Sequence, residues 1–384
     1  MASDLLLTSS HACSWRNDRG RDLTRTGLLV AGALICLSCT SSLPPEAAGD
    51  RSTSDSPNLT PGRSASLTSA GCASATAEWR QVNDLRGYNV HDGLAISTCE
   101  LLLVGERLAD RTAVVVESDN GGRTLVARVV TVASRLRRVL MRTTDLWALG
   151  EDMTGEPVVL RSGDRARSWS PMGLPLAEAT DITSSEGRIV VSGRTASNAI
   201  VLAADGSNWT PALSLQKSAQ VRALAAAGRI VAAGGVDQDR GLLYVSSDAG
   251  ATFRAVELPS DYSAVTGLAV SDRGFIVIGG YHGKQVENAT ALSSRFDVMS
   301  GVLRDLELPP AVQLTSPVCT PEFCLAVTPT GRGDVVVRLQ GLAVRWEIMS
   351  AQPTSVPLAI ERIVIGQTTA YAVGTGSPLI SAWP

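Results

Sequence analysis

The chain has 384 residues, 44% of them apolar and 18% charged, with a formal net charge of −3. That balance gives no electrostatic case for nucleic acid or an anionic bilayer, and 4% aromatics are too few for a stacking platform. Lys217 and Lys284 are the two lysines against 32 arginines, a bias that reads as G+C-rich coding rather than a phosphate-binding set.

Residues 1–39 read as an export signal. Arg16, Arg19, Arg21 and Arg25 precede an apolar run at 27–37. Eleven residues suit a signal peptide and fall below the ~20 needed to cross a bilayer. Ile35-Cys36-Leu37-Ser38-Cys39 resembles a bacterial lipobox, which makes Cys39 the expected lipidation site, although Cys36 stands where Leu or Val is preferred. Plain secretion and an uncleaved anchor are the alternatives. Residues 40–76, rich in Ser, Thr and Pro, bury too little apolar surface to offset ordering entropy and read as a disordered tether.

From residue 77 to 384 the pattern changes to short apolar runs that recur along the chain. Their closing residues fall at 105, 150, 193, 234, 279, 328 and 374, a spacing of 41 to 49 residues. Each period reads as four strands a to d; in the fourth, 221–225, 230–234, 242–246 and 252–258 are β-branched or apolar runs separated by turn residues. Such a period with four strands per unit predicts an all-β, seven-bladed β-propeller, six blades being the alternative. The last period lacks a strand d. Residues 76–82, with Trp79, have strand-d character and are expected to complete the last blade.

The c-to-d turns carry a finer mark. Ser246, Asp248, Gly250, Thr252 and Phe253 fit the Asp-box pattern at every defined position. Ser162, Asp164, Ser168 and Trp169 fit it with Ala166 for Gly; Ser118, Gly121 and Thr124 belong to a third copy with Asn120 for Asp. A fourth, degraded copy ends at Trp209, and Trp346 supplies a later aromatic anchor. Short acceptor side chains fold back on turn N–H groups, so the bland reading of these acids is scaffolding. On these motifs the chain resembles the Asp-box (BNR-repeat) β-propellers, particularly exported bacterial ones similar to the photosystem II assembly factor family, and more distantly the sialidases. The resemblance implies the fold over about 77–384 and leaves function open.

Cysteine use agrees with export. Cys319 and Cys324 bracket an a-to-b turn and are expected to pair, as are Cys72 and Cys99; neither pair has zinc-site spacing. The b-to-c loops at 106–111, 151–156, 194–198, 236–240 and 281–289 form the presumed binding end, with Tyr88 and His91 in a d-to-a connection beside the channel. No catalytic, cofactor-binding or metal-ligating set emerges. A sialidase would need three arginines around a substrate carboxylate and a Tyr–Glu pair; the Phe/Tyr-Arg-Ile-Pro element is missing, and Leu85-Arg86-Gly87-Tyr88 does not replace it. Glu106, Glu151 and Asp237 share the expected end and leave two-carboxylate chemistry as the enzymatic alternative. The expectation is therefore an exported, monomeric, lipid-anchored binding or scaffolding module for an envelope protein or glycan. Its expected place is the cell envelope, or outside the cell if secreted, with no nucleic-acid partner.

Overall fold

The computed structural model describes residues 80–83, 85, 87–205, 208–283, 290–309, 313–330, 333–349, 360–366, 369–374 and 379–382. All belong to one unit, Ser66–Pro384; the other, Met1–Ala65, lies outside the described residues. So do the expected signal, tether, Cys39, Cys72 and Trp79.

The structure is all-β, a β-propeller of four-stranded antiparallel sheets. Six sheets are each built from four consecutive strands, spanning 88–129, 135–173, 178–215, 219–256, 264–305 and 315–348. These are numbered one to six below. A further sheet is shared between the chain ends. Arg362–Ile365, Ala370–Val373 and Leu379–Ala382 supply its first three strands, and Arg80–Asn83 lies outermost. Arg80 pairs with Ser381 and Gln81 with Ile380. The first and last described strands thus fasten one blade, which closes the ring among the described residues.

Strand directions sort the connections. Antiparallel order puts the a–b and c–d turns at one end of the ring and the b–c and d–a connections at the other. The core lies between sheets, where alternate side chains of neighbouring blades interleave. One cluster joins Leu102, Val104 and Val115 of the first sheet to Leu136, Val139 and Leu160 of the second. The aromatic that opens strand d packs back on the preceding blade: Trp169 meets that cluster, and Trp346 is buried with Phe275 of the fifth sheet and with Leu306, just after its last strand.

The recurrent glycine has a steric cause. Strand a carries a β-bulge in sheets one to six, for example between Val90 and Asp92 and between Leu136 and Arg138. The bulged backbone leans over strand b opposite it. A Cβ on Gly105 would stand 1.9 Å from the Asn89 carbonyl oxygen, and one on Gly150 would stand 2.1 Å from that of Arg135. In the fourth and fifth sheets the residue under the bulge is Gly235 or Gly280, one position beyond the expected closing glycines at 234 and 279.

Candidate binding surface around the central channel

A cavity of about 350 Å³ runs along the ring's axis, lined by the innermost strand of every sheet. Those strands turn an unpaired edge toward the channel, so their backbone groups need partners from elsewhere. Polar side chains at and just after the bulge supply them across the seams. Asp92 Oδ2 accepts from Val139 N at 3.0 Å, and Asp181 Oδ2 accepts from Leu224 N at 2.8 Å. In the other direction Thr180 donates to the Val221 carbonyl, Thr266 to Leu314 and Ser316 to Glu361. Each clasp joins one blade to the next.

Around the first three sheets and the shared one these positions are charged. Asp92 Oδ1 also meets Arg362 Nε at 3.2 Å, while Asp181 Oδ1 accepts from Arg138 Nε at 3.0 Å. Burial opposes the Arg138 charge, but the carboxylates of Asp181 and Asp92 outweigh it and raise the Arg138 pKa. His91 Nδ1 lies 2.8 Å from Glu361 Oε2 across the seam that closes the ring. His91 was expected in a d-to-a connection; the strand Tyr88–Ala95 begins earlier and carries it as the bulge residue.

Nearer the b–c end, the second sheet's inner strand offers Arg135 and Arg137. Glu106 receives Asn89 Nδ2 at 2.8 Å, Arg111 Nη1 at 2.6 Å and Arg135 Nε at 3.3 Å. Arg137 pairs with Glu151. Glu106, expected at the head of an open loop, is instead a buried strand residue. Burial alone would raise its pKa; the Asn89 amide and the Arg135 and Arg111 guanidinium groups reverse that and hold it low. Such a carboxylate stays ionised and makes a poor general acid. Asp237 sits in the corresponding strand of the fourth sheet, with its buried Oδ1 unpartnered. Of the longest expected loop, residues 284–289 fall outside the described residues.

The remaining sequence-predicted sites lie at the opposite end. Ser246 Oγ accepts from Gly250 N at 2.8 Å and donates to Asp248, whose two oxygens receive Thr252 N at 2.9 Å and Thr252 Oγ at 2.6 Å. Ser162, Asp164 and Ser168 repeat this set, as do Ser118, Asn120 and Thr124. Ala166 takes φ 63° where Gly250 takes 81°. In the first sheet the equivalent glycine is Gly122 rather than Gly121, and both have positive φ. Phe253 packs in the seam between the third and fourth sheets. Cys319 and Cys324 form a disulfide across an a–b hairpin, and Cys99 is disulfide-bonded. Among the described residues, no helix is long and apolar enough to cross a membrane, and no three His, Cys, Asp or Glu side chains group as metal ligands.

The clasp residues were missed by motif reading because Asp92, Arg138, Asp181, Ala223 and Gly267 share a place but no chemistry. A positional signal exists: each stands twelve or thirteen residues before the glycine under its bulge.

No protein-family model matches the sequence, and no curated protein matches it. Solved structures do resemble the chain. YCF48 bound to a D1 peptide is 15% identical over 80% of this chain and 95% of that one, with a TM-score of 0.58. The GH74 xyloglucanase from Xanthomonas campestris gives 14%, 80% and 0.59, and the match spans 55% of that enzyme. The WD40 β-propeller domain of Doa1 gives 14%, 79% of this chain, 96% of that one and 0.57. At such identities the likeness is one of fold: the chain is a β-propeller.

Proposed function

We propose that the protein is an exported, lipid-anchored, seven-bladed Asp-box propeller that binds or scaffolds a partner at the bacterial cell envelope without catalysis. The observation that carries this reading is the state of the channel arginines. Arg135, Arg137, Arg138 and Arg362 each already face a carboxylate, yet all keep part of the side chain at the surface. A mouth patterned in fixed, alternating charge suits docking and register. Export is supported by the basic and apolar start of the sequence, by Cys39 in its lipobox-like setting, and by disulfides at Cys319–Cys324 and Cys99. A structural neighbour caught with a bound peptide is consistent with a protein partner.

The competing reading, a sialidase-like glycoside hydrolase, requires arginines free to hold a substrate carboxylate and an acid kept protonated. Here the arginines are engaged and Glu106 is held ionised. The test is affinity capture from the native envelope, followed by rebinding of the purified candidate. A single partner whose binding weakens at least about tenfold with Arg137→Glu is the expected result. Release of free sugar from labelled sialosides would overturn the proposal.

A further inference from the structure

We infer that the end of the ring carrying the a–b and c–d turns rests on a lipid bilayer through an arc of exposed apolar side chains. The inference builds on the lipid-anchor reading above. It begins with where the chain enters. Arg80–Asn83 runs antiparallel to Leu379–Ala382, itself a third strand that descends to the c–d turn end. Arg80 therefore lies at that end, and the 79 preceding residues join the ring there. Forty of them separate Cys39 from Arg80. On the tether reading of residues 40–76, forty residues correspond to a reach of about 35 Å, so an acylated Cys39 would hold this end close to the membrane.

The second observation concerns which turns lie beside that entry. Sheets one, two and four close strand d with polar Ser-Asp/Asn-Ser/Thr turns. In sheets five and six, which precede the shared sheet, the same turns expose Met299, Val302, Leu342 and Val344. Met299 is 90% exposed and Leu342 66%. Neither turn is a loose tip: Asp297 Oδ1 accepts from Met299 N at 3.0 Å and Ser300 N at 2.9 Å, and around Leu342 the Glu322 carbonyl accepts from Gly341 N at 2.7 Å and the Gln340 carbonyl from Ala343 N at 2.9 Å. On the other side of the shared sheet, Val126 and Met141 continue the exposure at the same end of sheets one and two. Sheets three and four, farthest from the entry, expose no large apolar side chain at this end among the described residues.

Single exposed apolar residues are ordinary, and Leu108, Val129, Met153 and Ile348 are of that kind at the other end; what sets this end apart is that its exposed side chains sit on the turns of the sheets flanking the point of attachment. A bilayer interface takes up such side chains, and an anchored chain meets it at high effective concentration. The apolar arc would then set the orientation of a chain that the anchor already holds at the membrane.

Amide hydrogen exchange on the full chain, bound to phosphatidylcholine/phosphatidylglycerol vesicles and in detergent-free buffer, tests the inference. Residues 297–303 and 340–345 should exchange at least about fivefold more slowly on vesicles, while 151–156 at the opposite end should not change. Met299→Ser combined with Leu342→Ser and Val344→Ser alters exposed positions and should abolish the protection. Equal protection at both ends, or protection without lipid and in proportion to protein concentration, would overturn it; the latter would mark a contact between copies. The mass of Cys39 separates the two readings. An unmodified Cys39 removes the acyl anchor, and the same exchange comparison is then read on chain held to nickel-chelating lipid by a hexahistidine placed at residue 40.

Discussion

Sheets one to three and sheets four and five solve the same seam problem with different chemistry. In the first group the residue after the bulge is Asp92, Arg138 or Asp181, and the blades are joined through carboxylates, guanidinium groups and backbone N–H. In the second group that residue is Ala223 or Gly267, and the blades close more tightly. A Cβ on Gly267 would come within 2.5 Å of Pro317, and one on Gly234 within 2.5 Å of Val265. A large apolar cluster including Tyr262, Leu268, Ile276 and Phe296 fills the seam instead. Bulge geometry is common to both groups, so the backbone does not demand charge. Charge at the channel is a property of one arc of the ring, which is also the arc whose arginines reach the b–c end.

The comparison breaks most sharply at Asp181. Asp181→Ala leaves the Leu224 N–H and the Arg138 guanidinium without their buried acceptor. The expected loss is about 4 kcal/mol by urea unfolding. A loss below about 1 kcal/mol would mean the charged arc is decorative. Gly105→Ala should follow at about 3 kcal/mol, because the new methyl meets a carbonyl oxygen of the bulged strand rather than a flexible side chain. Gly87→Ala, with open space around it, is the control and should change little. Thr266→Val removes only the hydroxyl that grips Leu314 in the apolar arc and should cost about 1 kcal/mol, as Thr180→Val should at Val221 in the charged arc. Thr180 also meets the buried Ser192 hydroxyl at 2.8 Å, so the two costs are compared in a Ser192→Ala background, where a remaining inequality would show that neighbouring chemistry changes the worth of the same clasp.

The blade period was legible because one steric conflict, a bulge over strand b, leaves a glycine in almost every repeat. Strand d was legible through Trp169 and Phe253, since the Asp-box turn before them admits few residue types, and in the sixth sheet through Trp346 alone. The clasps were not. Asp92 and Asp181 are spaced by whole blades, and what they hold is a backbone N–H on the following sheet, which carries no residue signature. The sequence points Glu106 to a loop because a polar residue after an apolar run usually ends a strand. Asn89, Arg111 and Arg135, which let it remain buried, come from three separate segments.

The smallest effect concerns the turns, and it separates their geometry from their charge. Asp164 and Asp248 are each held down to about 2. For Asp164 the Ser168 hydroxyl and amide are the leading cause; for Asp248 slight burial opposes, and the Thr252 hydroxyl and amide prevail. A carboxylate with a folded pKa below its unfolded value near 4 contributes stability that is complete above that value and lost as pH falls toward 2. The first sheet already contains the neutral version: Asn120 accepts from Thr124 N at 2.9 Å, and its amide donates to the Thr124 hydroxyl at 2.7 Å. Asp248→Asn should therefore keep the turn and change stability at pH 7 by no more than about 0.5 kcal/mol, these groups being largely solvated. Its signature should be a shallower fall in stability between pH 4 and pH 2, measured as urea midpoints at each pH. If the asparagine variant instead loses as much at neutral pH as Asp248→Ala, the turn depends on its ionised carboxylate, and the likeness to Asn120 is one of shape alone.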